Sequence, residues 1–153
     1  MKSNEMAERF TRSLMVFDEL SQTILKGHLL LEEELSMILD STIGGPDIIS
    51  EAKLTFFQKL KLVQAAFCDE ISPETWGAIE KLNSLRNQMA HQVESPRIPK
   101  LISEIVTILK LKIEDHVSIA STRECQIELV AMSLILTYND LIKLKERLPA
   151  KFA

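Results

Sequence analysis

Apolar residues recur along most of this chain at intervals of three, four and seven positions, which is the spacing of one face of an α-helix. The first pattern covers about residues 5–40 and predicts one long helix or two consecutive helices. Gly27, within that pattern, indicates either a break in the helix or a close contact with a second helix. The Gly-Gly-Pro sequence within residues 41–47 predicts a loop.

A second apolar pattern covers about residues 50–67 and predicts a central core helix. It contains three phenylalanines, Phe56, Phe57 and Phe67. Exposed aromatic side chains can form a stacking platform for nucleobases, but this helical spacing is more typical of a hydrophobic core. We therefore expect these side chains to be core residues.

The Ser-Pro-Glu sequence at residues 72–74 is a helix start signal, with an N-cap residue, a proline at the first helical position and an acid in the first turn. This helix extends to about residue 93. Another helix begins after residue 96 or at residue 99 and reaches about residue 119. Ser121 and Glu124 form a capping box that predicts a last helix extending to about residue 147.

The composition agrees with a helical bundle. Hydrophobic residues make up 46% of the chain and charged residues 26%, whereas aromatic residues make up only 5%. Four glycines and five prolines among 153 residues argue against long disordered segments. We predict an all-α, single-domain bundle of about five or six helices that covers residues 1–153.

The formal net charge of −4 gives no general attraction to nucleic acid or to an anionic membrane. Residues 1–50 hold four basic and nine acidic side chains, a net charge of −5, whereas residues 81–122 hold six Lys or Arg against four acids, a net charge of +2. Any binding of phosphate must therefore be local. The basic surplus lies around the segment at residues 82–91, although such small excesses are common on solvated helix faces.

Cys68 and Cys125 lie far apart and do not form a Cys/His cluster, so we expect reduced thiols, no metal site and no cofactor. The amino-terminal sequence lacks the apolar core of a signal peptide, and the longest apolar run is too short to span a bilayer. These features predict a cytoplasmic protein without a membrane partner.

The segment at residues 82–91 carries the chemistry of interest. Arg86 is a permanent cation, Asn87 is a polar amide, and His91 titrates near neutral pH. On a helix Asn87 and His91 share one flank, whereas Arg86 projects along the apolar stripe, where an unpaired charge is costly. Arg86 therefore needs an acidic partner, a subunit interface or an anionic ligand.

His28 and Glu32 are two auxiliary candidates on the first predicted helix. They lie one turn apart, and His28 is at a position where the stripe should be apolar. Such a histidine is more often a hydrogen-bonded core or interface residue than a functional one. The alternative is that His28 and Glu32 form a second layer around Arg86, with Glu32 as its ion-pair partner.

The sequence Arg86-Asn87-Gln88-Met89-Ala90-His91 resembles the R-[polar]-x3-H signature of HEPN domains, the higher-eukaryote and prokaryote nucleotide-binding superfamily. The similarity extends over about residues 15–120 and is greatest to bacterial members related to mannitol operon repressors. Other segments similar to that family are residues 27–32, residues 57–67, Trp76 and residues 79–83.

The resemblance implies a helical bundle that forms a homodimer, with the two motifs facing each other across a cleft. In catalytic members it also implies metal-independent cleavage of RNA. Arg86 and His91 would then be the catalytic residues and Asn87 a supporting one. On one helix Arg86 and His91 project about 140° apart, because five residues advance ~500°. Facing copies from two chains remove this geometric difficulty.

Three interpretations of the motif remain open. The first is an endoribonuclease of a toxin or defence system, and the intact Arg-Asn-x3-His signature favours it. The second is a non-catalytic HEPN dimer that binds a nucleotide, RNA or another nucleic acid, or a protein partner such as an antitoxin. The resemblance implies a regulator of the mannitol repressor type for such a dimer. It is favoured by the acidic composition and by Val93, which replaces the tyrosine of toxins paired with a nucleotidyltransferase antitoxin. In the third, Arg86 is merely ion-paired and His91 caps its helix.

Overall fold

The computed structural model describes residues 5–8, 10, 19–92, 95–111 and 123–149. These residues confirm an all-α fold, since no strand occurs among them. Residues 5–8 and 10 are helical, and the longer helices are α1 (Glu19–Thr42), α2 (Pro46–Glu51), α3 (Phe56–Phe67), α4 (Pro73–His91), α5 (Arg97–Ile108) and α6 (Arg123–Arg147). The predicted capping residue Ser121 and the predicted helix end near residue 93 lie outside the described residues.

The loop predicted at residues 41–47 is shorter than expected. Helix α1 continues to Thr42, and α2 begins at Pro46, after Gly45 with φ of 84°. Such a positive φ is readily accessible to glycine, which has no Cβ. A loop of only three residues therefore connects α1 to α2.

The predicted start of the core helix at residue 50 is wrong, because α3 begins at Phe56. A capping box determines this start: the Gln58 backbone N–H donates to Thr55 Oγ1 at 3.2 Å, and the Thr55 N–H donates to Gln58 Oε1 at 2.9 Å. Lys53, in the turn before it, has a left-handed φ of 50°. The apolar run is thus divided between α2 and α3.

The helix predicted to begin after residue 96 or at residue 99 was expected to reach about residue 119. That end is also wrong, since α5 ends at Ile108. Lys110 has a left-handed φ of 52°. The Leu111 N–H donates to Val106 O at 3.1 Å, and the Lys110 N–H donates to Thr107 O at 3.2 Å. These two bonds form a Schellman motif, which ends a helix and is usually recognised by a glycine at the left-handed position.

Helices α1 and α6 have the most extensive contact of any helix pair in the described part of the chain. A Cβ atom on Gly27 would overlap the side chain of Leu134, so Gly27 permits the two helices to approach closely. Of its two predicted roles, the close contact with a second helix is thus confirmed. Seven residues later, Glu34 is buried and pairs with Lys145 at 2.6 Å. Because both contacts advance in the same direction along the two helices, α1 and α6 run parallel.

Helix α4 runs antiparallel to this pair. Its predicted start is confirmed, because the Thr75 N–H donates to the side chain of Ser72 at 3.3 Å and Pro73 is the first helical residue. The Thr75 hydroxyl donates to Asp140 Oδ2 at 2.7 Å near the end of α6, whereas Asn83 contacts α1 near its beginning. The carboxyl-terminal end of α4 therefore lies beside the amino-terminal end of α1.

Candidate functional site

The Arg-Asn-His motif occupies the last two turns of α4. The predicted apolar stripe is confirmed over Ile79, Leu82 and Leu85, which are all buried, and Met89 packs partly against the core. Arg86 follows Leu85 directly and is half-buried, whereas Asn87 and His91 are exposed. The core thus ends at Leu85, and the motif projects beyond it.

The predicted ion pair between Arg86 and Glu32 is wrong. Glu32 Oε1 pairs instead with Lys59 Nζ of α3 at 3.0 Å. Arg86 Nη1 donates to Asn87 Oδ1 at 3.4 Å, and no carboxylate among the described residues lies within salt-bridge distance of the guanidinium. Within the described ranges, the hydrogen-bond partner of this cation at the edge of the core is a neighbouring amide and not an acid.

His91 is the last residue of α4, which confirms its predicted position in the final turn. The next backbone N–H, that of Gln92, donates to Gln88 O at 3.0 Å and completes the helix. Asn87 and His91 are four residues apart and share one flank of α4. Arg86 and His91 project about 140° apart, so within one chain they do not converge on one small ligand.

His28 contacts α4 one turn before the motif. Its Nε2–H donates to Asn83 Oδ1 at 2.9 Å, and its ring stacks on Phe56 with the ring centroids 4.1 Å apart. His28 and Asn83 are both 8% exposed. His28 is therefore a hydrogen-bonded core histidine, the more frequent of the two roles considered for it.

The charge state of His28 also depends on the motif. Burial lowers the pKa of His28 from its ordinary value of 6.5, the Asn83 hydrogen bond raises it, and the charge of Arg86 lowers it. The nearby charge of Glu32 raises this pKa, so Arg86 and Glu32 are both charged neighbours of a neutral imidazole. Sequence reasoning missed Asn83, although an amide four residues before Asn87 on the buried side of the helix was a signal.

Helix α5 brings further basic residues to the other side of α4. Lys81 Nζ pairs with Glu104 Oε2 at 3.0 Å. The hydrogen bond from Lys81 lowers the pKa of Glu104, and the charges of Lys81, Lys100 and Arg97 lower it further. Glu104, one of the four acids already counted in this region, thus pairs with one of its six basic side chains.

At the end of one helix of an all-α bundle, the structure thus places a half-buried Arg86 beside the exposed Asn87 and His91. No protein-family model matches the chain, and no curated protein or solved structure matches it either. In the described part of the chain, no helix is both long enough and apolar enough to cross a membrane. The same residues contain no cluster of three or more His, Cys, Asp or Glu side chains able to hold a metal ion.

Proposed function

We propose that this protein is a metal-independent endoribonuclease of the HEPN type, acting as a homodimer. The observation that carries the proposal is the state of Arg86. This half-buried cation has no carboxylate partner among the described residues and donates only to the neighbouring amide of Asn87. A cation in this state is available to bind an anion, and a guanidinium can donate to two phosphate oxygens at once.

The residue types suit cleavage of RNA by its own 2′-hydroxyl. The 2′-oxygen attacks the adjacent phosphorus, the bond from phosphorus to the 5′-oxygen breaks, and the products carry a 2′,3′-cyclic phosphate and a 5′-hydroxyl. One group must accept the proton of the 2′-hydroxyl and another must protonate the 5′-oxygen. The imidazole of His91 is the proposed proton-transfer group, Arg86 stabilises the charge of the phosphorane, and Asn87 orients Arg86 or the phosphate.

Two copies of the chain are part of the proposal. Since Arg86 and His91 diverge by about 140° on α4, a phosphate between facing α4 helices receives Arg86 from one protomer and His91 from its partner. The exposed position of His91 at the helix end leaves its ring accessible to such a partner. The hydrogen-bonded pair of His28 and Asn83 would form a buried layer next to Arg86.

A non-catalytic HEPN dimer is the second candidate. The hydrogen bond between Arg86 and Asn87 favours it, because an arginine with a preset amide can bind an anion without any proton transfer. Such a protein would bind a nucleotide, a nucleic acid or an acidic protein segment. Its His91 would contribute to binding and not to catalysis.

The test is incubation of purified wild-type, Arg86→Ala and His91→Ala proteins with mixed single-stranded RNA in excess EDTA, followed by analysis of the product ends. Gln92→Ala is the matched control, since Gln92 is exposed and adjacent to His91. We expect the wild type and the control to leave 2′,3′-cyclic phosphates. We expect both motif variants to lose cleavage while they retain wild-type helicity.

Cleavage by the His91→Ala protein would contradict the catalytic role of His91. RNA binding without cleavage by the wild type, lost on Arg86→Ala, would favour the binding dimer. Sedimentation of the same samples measures whether two chains associate, as both candidates require.

A further inference from the structure

Phe57 differs from the other aromatic side chains of α3. Phe56 is buried and stacks on His28, and Phe67 packs partly against the core. Phe57 is 46% exposed, so its predicted place in the core is wrong. Nearly half of this large aromatic side chain is therefore in contact with solvent and contributes nothing to the core.

Contacts of Lys61 show where the Phe57 ring lies. Lys61 Nζ is 5.4 Å from the centroid of the Phe57 ring, within the range of a cation–π interaction. The same Nζ is 3.0 Å from Glu80 Oε2 of α4. The ring is therefore beside the surface of α4 that carries Glu80.

That surface of α4 leads to the Arg-Asn-His motif. Asn87 and His91 follow Glu80 by seven and eleven residues, which places both within about 20° of its direction around the helix. Asn87 is about 10 Å beyond Glu80 along the helix axis, at ~1.5 Å per residue. An exposed aromatic ring, an exposed lysine and the motif residues Asn87 and His91 thus follow one another along one face.

We propose that Phe57 is a stacking platform for a base of single-stranded RNA whose phosphate is held by Asn87 and His91 of the same protomer and by Arg86 of its partner. Every base presents a π-face, so a platform of this kind tolerates any sequence. Lys61, released from Glu80, contacts a phosphate of the same strand. The inference rests on the proposed function and extends it, because it requires an RNA strand and not an isolated phosphate or nucleotide.

The test measures binding of a fluorescently labelled 2′-O-methyl RNA by anisotropy, because a blocked 2′-oxygen cannot attack and the strand stays intact. The variants are Phe57→Ala, Phe57→Tyr and Arg86→Ala. Leu62→Ala is the matched control: Leu62 is 43% exposed on the same helix but projects about 140° away from Phe57. A second strand with abasic sites carries the phosphates without the bases.

Loss of one base stack by truncation to alanine weakens the affinity by about tenfold. We expect that loss for Phe57→Ala on the complete strand and no loss on the abasic strand. Phe57→Tyr and Leu62→Ala should bind like the wild type, because the first keeps a ring and the second lies on another face.

Equal affinity of Phe57→Ala and wild type, with binding lost on Arg86→Ala, overturns the platform and leaves the proposed function intact. An equal loss for Phe57→Ala on both strands also overturns it, since the ring would then not act on a base. If the wild-type protein binds neither the complete strand nor the abasic strand, both proposals are overturned.

Discussion

The two halves of α4 are both α-helical, but they differ in how deeply their side chains are buried. In the first half the side chains of Trp76, Ala78, Ile79 and Leu82 are buried against the neighbouring helices. In the second half, beyond Leu85, polar side chains replace them and remain half-buried or exposed. Core packing on α4 is therefore concentrated at and before Leu85, and the motif lies beyond it.

Adjacent residues at the boundary give the largest expected difference. Leu85 is fully buried, so Leu85→Ala should lower the free energy of unfolding by about 2–5 kcal/mol. Arg86→Ala should lower it by under ~1 kcal/mol, because no buried ion pair is broken among the described residues. Urea denaturation monitored by circular dichroism measures both values. A loss of a few kcal/mol for Arg86→Ala would show that Arg86 is a structural residue.

Two glycines extend the comparison from the α1–α6 pair to α4. Gly27→Ala places a Cβ atom on the Leu134 side chain and should destabilise the protein by about 1–3 kcal/mol. Gly77→Ala, in the first half of α4, meets only Ile108 Cγ2 at 3.9 Å. It should stabilise the protein by about 1 kcal/mol, because alanine is the better helix former. Melting temperatures measure the two opposite shifts.

The background variant Leu134→Ala provides the control for Gly27. Removal of the Leu134 side chain removes the overlap, so Gly27→Ala should become stabilising in that background. A destabilisation of the same size in both backgrounds would mean that Leu134 is not the cause.

The end of α5 offers a smaller effect, away from both halves of α4. Lys110 has a φ of 52°, a conformation that costs a residue with a Cβ about 1 kcal/mol relative to glycine. Lys110→Gly should therefore stabilise the protein by about that amount in urea denaturation. Lys100→Gly, inside the same helix, is the control and should destabilise it by about 1 kcal/mol.

The smallest effect concerns His28 and is absent at neutral pH. Because its pKa in the folded protein is lowered from 6.5, the unfolded chain binds a proton at higher pH than the folded chain does. The contribution of His28 to stability is therefore constant above pH 6.5 and decreases as pH falls through 6.5 toward the lowered pKa.

Melting temperatures between about pH 7.5 and pH 5.5 test this dependence. His28→Gln keeps a donor for Asn83 but does not titrate, so its melting temperature should decrease less over this range than that of the wild type. The same decrease in both proteins would contradict a neutral, buried His28 as the source.

Patterns of neighbouring residues predicted most of the helices. They also predicted where the residues of the site lie along α4. The Ser72 cap, the buried stripe of α4 and the position of His91 in its last turn all depend on interactions within one or two turns, which local sequence encodes. The premature end of α5 was missed because a lysine occupies the left-handed position where glycine is the usual signal.

Helical periodicity is a local property, so an all-α chain, the helix that carries Arg86, Asn87 and His91, and their relative directions around it all followed from the order of the residues. The contact partners of the side chains became known from the packed helices. Glu32 pairs with Lys59 and not with Arg86, His28 finds Asn83, and Phe57 remains outside the core. These outcomes depend on how the helices pack against one another, and residues that are distant in the chain carry no local signal of which side chains will meet.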